Sequence, residues 1–267
     1  MVVLDCTVTA GVEKIACFWY NHRIMNDSLF DILVQRATTL MNKSHDPIHD
    51  TAHARRVVNH VSTLSDISEV TDNEKKALII AAWWHDVARI ITKKPSLVWM
   101  PMVDDLISGF MLMAFLIKHR IYDRSAFLSA RMILGKSLGT GALIKKILLS
   151  KRNQFLADLL KDADTLDTFA IERFELVLEL VEESLRNEIG YKIVCRWFSF
   201  LNHINMKTEA AKTYVLHLFH RLIKWIKQPR IIAWHIEHFG KRWTKKSLRR
   251  IDKLGAKLTR RLQATAV

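Results

Sequence analysis

Histidine and aspartate side chains at three places in this sequence have the chemistry of metal ligands. His85 and Asp86 end the apolar run 77–84, where two ionisable groups are costly to bury unless they pair or bind a metal ion. His53 lies upstream of this pair and Asp164 lies downstream. Imidazole and carboxylate groups on rigid elements bind divalent metals and leave coordination positions open for water and substrate. Together these side chains would supply two nitrogen and two oxygen ligands.

Each of these side chains also has an ordinary structural interpretation. A His-Asp pair at the end of a helix often caps that helix, and a single histidine such as His53 often lies on a solvated helix face. Asp162 and Asp164 could form the N-cap of a following helix, because carboxylates accept hydrogen bonds from its first N–H groups. The spacing is local within each stretch, so it does not establish that the three stretches meet.

The residue pattern predicts helices along almost the whole chain. Gly and Pro are scarce, with 8 and 4 residues, and almost no segment alternates apolar and polar residues with a period of two. Helix starts are predicted at the Asn26 cap, near His49 or Asp50, and at the Thr71–Glu74 capping box. The fold class is therefore predicted to be all-α. Later helices are predicted at 123–134, 141–151, 153–160, 164–188, 190–203, 206–226, 231–239 and 244–262.

Three stretches of the sequence resemble the motifs of the HD-domain metal-dependent phosphohydrolases. Residues 49–57 (HDTAHARRV) resemble the family's His-Asp-x-x-His-x-x-Arg-Val, and residues 81–89 (AAWWHDVAR) resemble its central His-Asp motif. Residues 162–167 (DADTLD) resemble its distal Asp-Ala-Asp-x-Leu-Asp. The likeness extends over residues 27–188, with the motifs in the family's order. It implies an HD-domain helical bundle whose metal ligands are His53, His85, Asp86 and Asp164.

The resemblance also implies a catalytic centre. His85 and Asp86 would be its main residues, because the metal ion that they help to hold would activate a water molecule for attack on phosphorus. Cations near that centre would stabilise charge on the phosphoryl oxygens. The expected phosphate-binding cations, for each of which a salt bridge is the alternative role, are Arg56, Arg89 and Lys161.

Further residues of the motifs are expected to support the ligands. A metal-bound histidine usually needs a partner for its second ring nitrogen, and His49 and Asp50 are expected to orient His53 in this way. Asp162 is expected to play a secondary role beside Asp164.

The number of metal ions follows from a departure from the family pattern. No histidine lies between residues 121 and 164, and Ser150 stands where relatives often carry a histidine, so a single divalent ion is predicted. Candidate ions are Mn²⁺, Mg²⁺, Co²⁺, Ni²⁺ and Fe²⁺. The hydrophobic segment 97–120 resembles an insertion, which could be core or could wall a substrate pocket. Its carboxylates, Asp104 and Asp105, could act in acid–base chemistry or in gating the substrate.

Charge separates the C-terminal part from the rest of the chain. The net charge is +14, and residues 223–263 hold 13 Lys and Arg against two acidic residues. Three regions are predicted: an N-terminal segment, 1–26, that packs on the core, an HD domain, 27–204, and a basic helical extension, 205–267. A basic extension favours an anionic partner, either nucleic acid or an anionic membrane surface bound through residues 223–267.

The sequence therefore predicts a phosphohydrolase that acts on a phosphomonoester or phosphoanhydride, with a nucleotide as the expected substrate. Two alternatives stay open, a phosphodiesterase or nuclease and a non-catalytic HD-fold protein that binds through its basic extension. The expected location is cytoplasmic, because the three scattered cysteines indicate free thiols and no apolar stretch is long enough to span a bilayer. Residues 130–137 also match a relaxed P-loop pattern, but their bulky helical residues argue against a phosphate loop.

Overall fold

The computed structural model describes residues 25–91, 103–137, 141–200 and 206–265. This part of the chain forms α-helices joined by short connections and contains no strand, so the all-α prediction is confirmed. A single 3₁₀ turn, Val87–Ile91, follows the His-Asp pair. The helices are α1 (Asp27–Met41), α2 (Thr51–Ile67), α3 (Asp72–Trp84), α4 (Asp104–Lys118), α5 (Arg124–Lys136), α6 (Gly141–Leu148), α7 (Lys151–Asp167), α8 (Ile171–Glu183), α9 (Leu185–Phe200), α10 (Glu209–Ile226), α11 (Pro229–Phe239) and α12 (Lys241–Thr265).

The three predicted helix starts are confirmed, and each depends on a side chain close in sequence. Asn26 accepts a hydrogen bond from the backbone N–H of Ser28 at the start of α1. Asp50 caps α2. Thr71 and Glu74 form a reciprocal capping box at the start of α3.

The core is a bundle in which α2, α3, α5 and α7 pack on one another. Apolar residues at helical spacing, such as Val57, Val61 and Leu64 on α2, are fully buried there. Because α2, α3 and α7 carry the three predicted motifs, packing of this bundle brings the motifs to one place.

The prediction of two helices at 153–160 and 164–188 was wrong in its bounds, because the structure has a break at 168–170 and another at Ser184. Helix α7 runs without a break from Lys151 to Asp167, and its N-cap is Ser150, whose side chain accepts from the N–H of Asn153. Asp164 therefore lies in the last turn of a helix rather than at the start of one. This position excludes an N-cap role for Asp164 and turns its carboxylate toward α2 and α3.

Residues 103–120 of the predicted insertion lie within the described part of the chain, whereas 97–102 lie outside it. Helix α4 buries Leu112 and Leu116 but leaves Phe110 60% exposed. A Cβ added to Gly109 would lie 2.7 Å from Cγ of Leu134, so only glycine permits this close approach of α4 and α5. The approach places the N-terminal end of α4 beside the C-terminal end of α5.

The C-terminal helices pack on the core bundle. The rings of Phe219 on α10 and Phe169 lie edge to face, with centroids 5.9 Å apart, and Trp225 packs against Phe174 of α8. None of the described helices is both long and apolar enough to cross a membrane. The predicted packing of the N-terminal segment concerns residues of which 1–24 lie outside the described part.

Candidate metal centre

Four side chains from α2, α7 and the end of α3 meet at one point in the core. The Nε2 atoms of His53 and His85 are 3.1 Å apart. Asp86 Oδ2 lies 3.2 Å from Nε2 of His53 and 3.4 Å from Nε2 of His85. Asp164 Oδ1 lies 3.5 Å from both nitrogens. His53, His85 and Asp164 are close enough to one another to hold a metal ion, and Asp86 contacts the same two nitrogens.

The tautomers of both histidines follow from their other ring nitrogens. Nδ1 of His85 lies 2.7 Å from the carbonyl oxygen of Ala82, which can only accept a hydrogen bond. Nδ1 of His53 lies 2.6 Å from Oδ2 of Asp167. Both Nδ1 atoms therefore donate, and in the neutral imidazoles both Nε2 atoms carry lone pairs.

A divalent cation fits this arrangement. Two lone pairs that face each other repel unless a proton or a metal ion lies between them. Ligands that lie about 2.1 Å from an ion, at angles of about 90–110°, are about 3.0–3.4 Å from one another, close to the spacing seen here. Oδ2 of Asp86 is buried and accepts no hydrogen bond from any group in the described part of the chain. A metal ion would satisfy this oxygen.

The electrostatics of the centre favour positive charge. Burial disfavours the charged form of His85, but the carboxylates of Asp86 and Asp164 together outweigh burial and raise the pKa of His85 to about 10. Burial alone would also raise the pKa values of the two carboxyl groups. His85 instead holds the pKa of Asp86 well below its usual range, and Lys136 does the same for Asp164. Both carboxylates are therefore ionised and available as ligands.

Asp167 is the group that orients His53. Its side chain is fully buried and also accepts hydrogen bonds from Arg56 and from Arg173, whose Nη1 lies 3.1 Å from Oδ2. Burial opposes ionisation of Asp167, but His53, Arg56 and Arg173 together outweigh burial and keep the pKa of Asp167 far below the usual range. Sequence reasoning assigned no role to Asp167, although it lies one helical turn after Asp164 in the same motif.

His49 and Asp50 lie beside His53 without bonding its ring. The His49 ring is edge-on to that of His53, with centroids 5.5 Å apart. Its Nε2 accepts a hydrogen bond from Arg173 at 2.9 Å, and Arg173 also bonds Oδ2 of Asp167 and lies 3.3 Å from Nδ1 of His53. Burial lowers the pKa of His49 to about 4, so this ring is neutral. The carboxylate of Asp50 accepts from the backbone N–H of His53 at 2.8 Å and thereby fixes the first turn of α2.

Lys136 is a second residue that sequence reasoning missed as part of the centre. Its Nζ lies 2.8 Å from Oδ2 of Asp164 and 2.7 Å from Oδ1 of Asp105. Burial would lower the pKa of Lys136, but the two carboxylates raise it above its usual value, so the ammonium is charged. The signal in the sequence was the lysine in the P-loop-like pattern together with an acidic pair in an apolar segment.

The structure places Arg89 away from solvent. Its side chain is 1% exposed and bridges Asp46 and Asp104, at 3.2 and 2.6 Å. Asp46 in turn accepts from Nδ1 of His49 at 3.0 Å. Arg89 therefore links Asp46, the partner of His49, to Asp104 of α4. This is the salt-bridge role that was predicted as the alternative to binding phosphate.

The side of the centre beside Asp164 is open to solvent. The Asp164 side chain is 29% exposed, more than the other three ligands, so solvent reaches the centre beside it. Burial lowers the pKa of the partly buried Lys161, and the nearby charges of buried Lys136 and exposed Lys207 lower it further. Asp162 points elsewhere, because its carboxylate accepts from the backbone N–H groups of Lys207 and Thr208.

The arrangement can bind one divalent cation and place an anion beside it. When a metal ion takes the place of the proton on His85, two neutral imidazoles and two carboxylates give the ion a net of two negative charges, and Lys161 and Lys207 attract anions. Comparison with protein-family models, with curated proteins and with solved structures found no match for this chain.

Proposed function

We propose that this protein is an HD-type, metal-dependent phosphohydrolase that uses one divalent ion held by His53, His85, Asp86 and Asp164. The observation that supports it most is the convergence of their four ligand atoms. The Nε2 atoms of His53 and His85 are 3.1 Å apart, and one carboxylate oxygen each of Asp86 and Asp164 lies within 3.5 Å of both. The order and type of these residues also resemble the ligand set of that family. Mn²⁺, Mg²⁺, Co²⁺, Ni²⁺ and Fe²⁺ are the candidate ions.

The residues around the ion would prepare the centre for phosphate chemistry. A bound divalent ion supplies a water molecule of lowered pKa and stabilises charge on phosphoryl oxygens. Asp167 keeps the proton of His53 on Nδ1, so that Nε2 stays a ligand. Lys136 holds one oxygen of Asp164 and leaves the other facing the histidines. Lys161 and Lys207, at the exposed edge, would attract and orient the phosphate group.

The substrate we propose is a phosphomonoester or phosphoanhydride, most simply that of a nucleotide. Arg56 lines a polar pocket together with Asn59, His60 and Arg221. The guanidinium of Arg56 pairs with Asp167, and the Arg56 side chain also borders this pocket. This position supports a role in contacting a polar part of the substrate.

A second candidate is a phosphodiesterase or nuclease, and the surface of α12 supports it. This helix exposes a row of cations, Lys241, Arg242, Lys245, Lys246, Arg249, Lys253 and Arg260. Its apolar residues, among them Trp243, Ile251 and Leu254, pack against the core. Helices that lie on membranes insert an apolar face into the lipid, and α12 has already used that face in packing. Nucleic acid therefore suits this surface better than a membrane does.

Metal analysis combined with hydrolysis assays tests the proposal. Single variants His53→Ala, His85→Ala, Asp86→Ala and Asp164→Ala are expected to lose bound Mn²⁺ and the hydrolysis of nucleoside phosphates. His45→Ala, which changes an exposed histidine outside the centre, is the control and should keep both. Full metal content and turnover in all four variants would rule out the proposal. Cleavage of RNA or DNA without turnover of nucleotides would favour the second candidate.

A further inference from the structure

An apolar cavity of about 240 Å³ lies between the core bundle and the C-terminal helices. Its walls come from α8 to α12 and from residues 48–49 before α2, and they include Phe174, Val177, Leu222 and Ile251. Protein interiors are otherwise close-packed, with few voids larger than a water molecule. An apolar cavity of about 150 Å³ is already large enough to hold benzene. The cavity therefore has the size and lining of a site for a small apolar ligand.

The charged side chains that line the cavity are all basic. Arg250 of α12 and Arg173 of α8 contribute to the wall, and no Asp or Glu does so among the described residues. Arg173 is engaged with Asp167 and His49 at the inner end. Arg250 is only partly buried and forms no ion pair with any described residue. A ligand with one anionic group could bury its apolar part and leave its charge beside Arg250.

We propose that this cavity binds an anionic amphiphile of the fatty-acid class, with its chain among the walls and its carboxylate at Arg250. The charge of the wall selects an anion over a cation, and the apolar lining selects a chain over a free phosphate or a polar metabolite. The site is separate from the metal centre, because the layer of His49 and Arg173 stands between the cavity and His53. The proposal does not depend on metal chemistry.

Binding of three ten-carbon probes to the full chain tests this inference. Isothermal titration with decanoate, below its micellar concentration, is expected to show saturable one-to-one binding. Decanol, which has the same chain and no charge, should bind at least tenfold more weakly. Decyltrimethylammonium, which has the opposite charge, should not bind measurably. Absence of saturable decanoate binding, or equal binding of the three probes, would overturn the proposal.

Variants locate the binding site. Val177→Phe fills the cavity and should weaken decanoate binding at least tenfold. If circular dichroism shows that Val177→Phe does not fold, Ser247→Leu, which fills the cavity from α12, takes its place with the same expected result. Arg250→Gln should remove the preference for decanoate over decanol. Arg249→Gln, one residue away on the exposed face of α12, is the matched control and should bind as the wild type does. Wild-type affinity in both Arg250→Gln and the cavity-filling variant would place any binding elsewhere and refute the inference. Metal content should stay unchanged throughout.

Discussion

Asp167→Asn tests whether a buried carboxylate sets the metal affinity of His53. Oδ2 of Asp167 accepts from Nδ1 of His53 at 2.6 Å, and the same carboxylate pairs with Arg56 and Arg173. The asparagine has nearly the same shape but no charge. It can still accept one hydrogen bond, but it no longer makes the imidazole a stronger base, and it leaves two arginines without their buried counter-ion.

The expected loss has two parts. Removing a carboxylate that orients a metal-bound histidine typically costs about 10–100-fold in metal affinity. That range corresponds to about 1.4–2.7 kcal/mol of binding free energy. Because the Asp167 side chain is 0% exposed, loss of its charge should also lower the free energy of unfolding by about 3–5 kcal/mol. The two losses are separable, since the first concerns the folded protein only.

Titration of the metal-free protein with Mn²⁺ at a temperature well below unfolding measures the first part, and urea unfolding measures the second. Asp66→Asn is the control, because its carboxylate pairs with Lys75 on the surface and is 68% exposed. This control should change stability by less than about 1 kcal/mol and leave metal affinity unchanged. If folded Asp167→Asn binds Mn²⁺ as tightly as the wild type does, the reasoning about His53 is wrong.

Three further predictions concern the ion, a buried lysine and a surface pair. Chelation should lower the melting temperature of the wild type but not of His53→Ala, since an ion at 100 times its Kd stabilises the fold by about 2.7 kcal/mol. Equal melting curves of the wild type with and without chelator would contradict this. Lys136→Met, which leaves buried Asp105 and partly exposed Asp164 without their cation, should cost about 3–5 kcal/mol in urea unfolding, and adding Asp105→Leu should restore part of that loss. No recovery in the double variant would count against the pairing. Arg152 lowers the pKa of Glu74 from 4.5 to about 2, so their interaction stabilises the fold above pH 4.5 and is lost as pH falls through about 2. Arg152→Ala should therefore cost less than about 1 kcal/mol at pH 7, given the exposure of the pair, and nothing below pH 2.

Helix starts were readable from the sequence because a cap is a local interaction. Asn26, Asp50 and Thr71 each bond a backbone N–H two or three residues later. The end of α7 was not readable in this way. Asp162 looks like a helix cap in sequence, but it accepts from the N–H groups of Lys207 and Thr208, 45 and 46 residues away, and Thr208 is the residue that caps α10.

The groups that support the metal ligands were also beyond sequence reasoning. The contact between His53 and Asp167 joins residues 114 positions apart, and the contact between His49 and Arg173 joins residues 124 positions apart. In the sequence, Lys136 belongs only to the P-loop-like pattern at 130–137. Its role beside the metal ligands was not visible there, because its two carboxylate partners come from α4 and α7. Arg89 could equally have contacted phosphate or formed a salt bridge until its burial was known.

The sequence by itself determined the all-α class, the three helix caps and the types and order of the four candidate ligands, because these follow from local hydrogen bonding and from helical periodicity. Only the tertiary structure decided that the ligand atoms of His53, His85, Asp86 and Asp164 meet, and that Asp167 and Lys136 hold two of them in place. It also decided that an apolar cavity lies under α12. These features depend on how distant helices pack and on which side chains lose contact with water, and neither is specified by the spacing of residues along the chain.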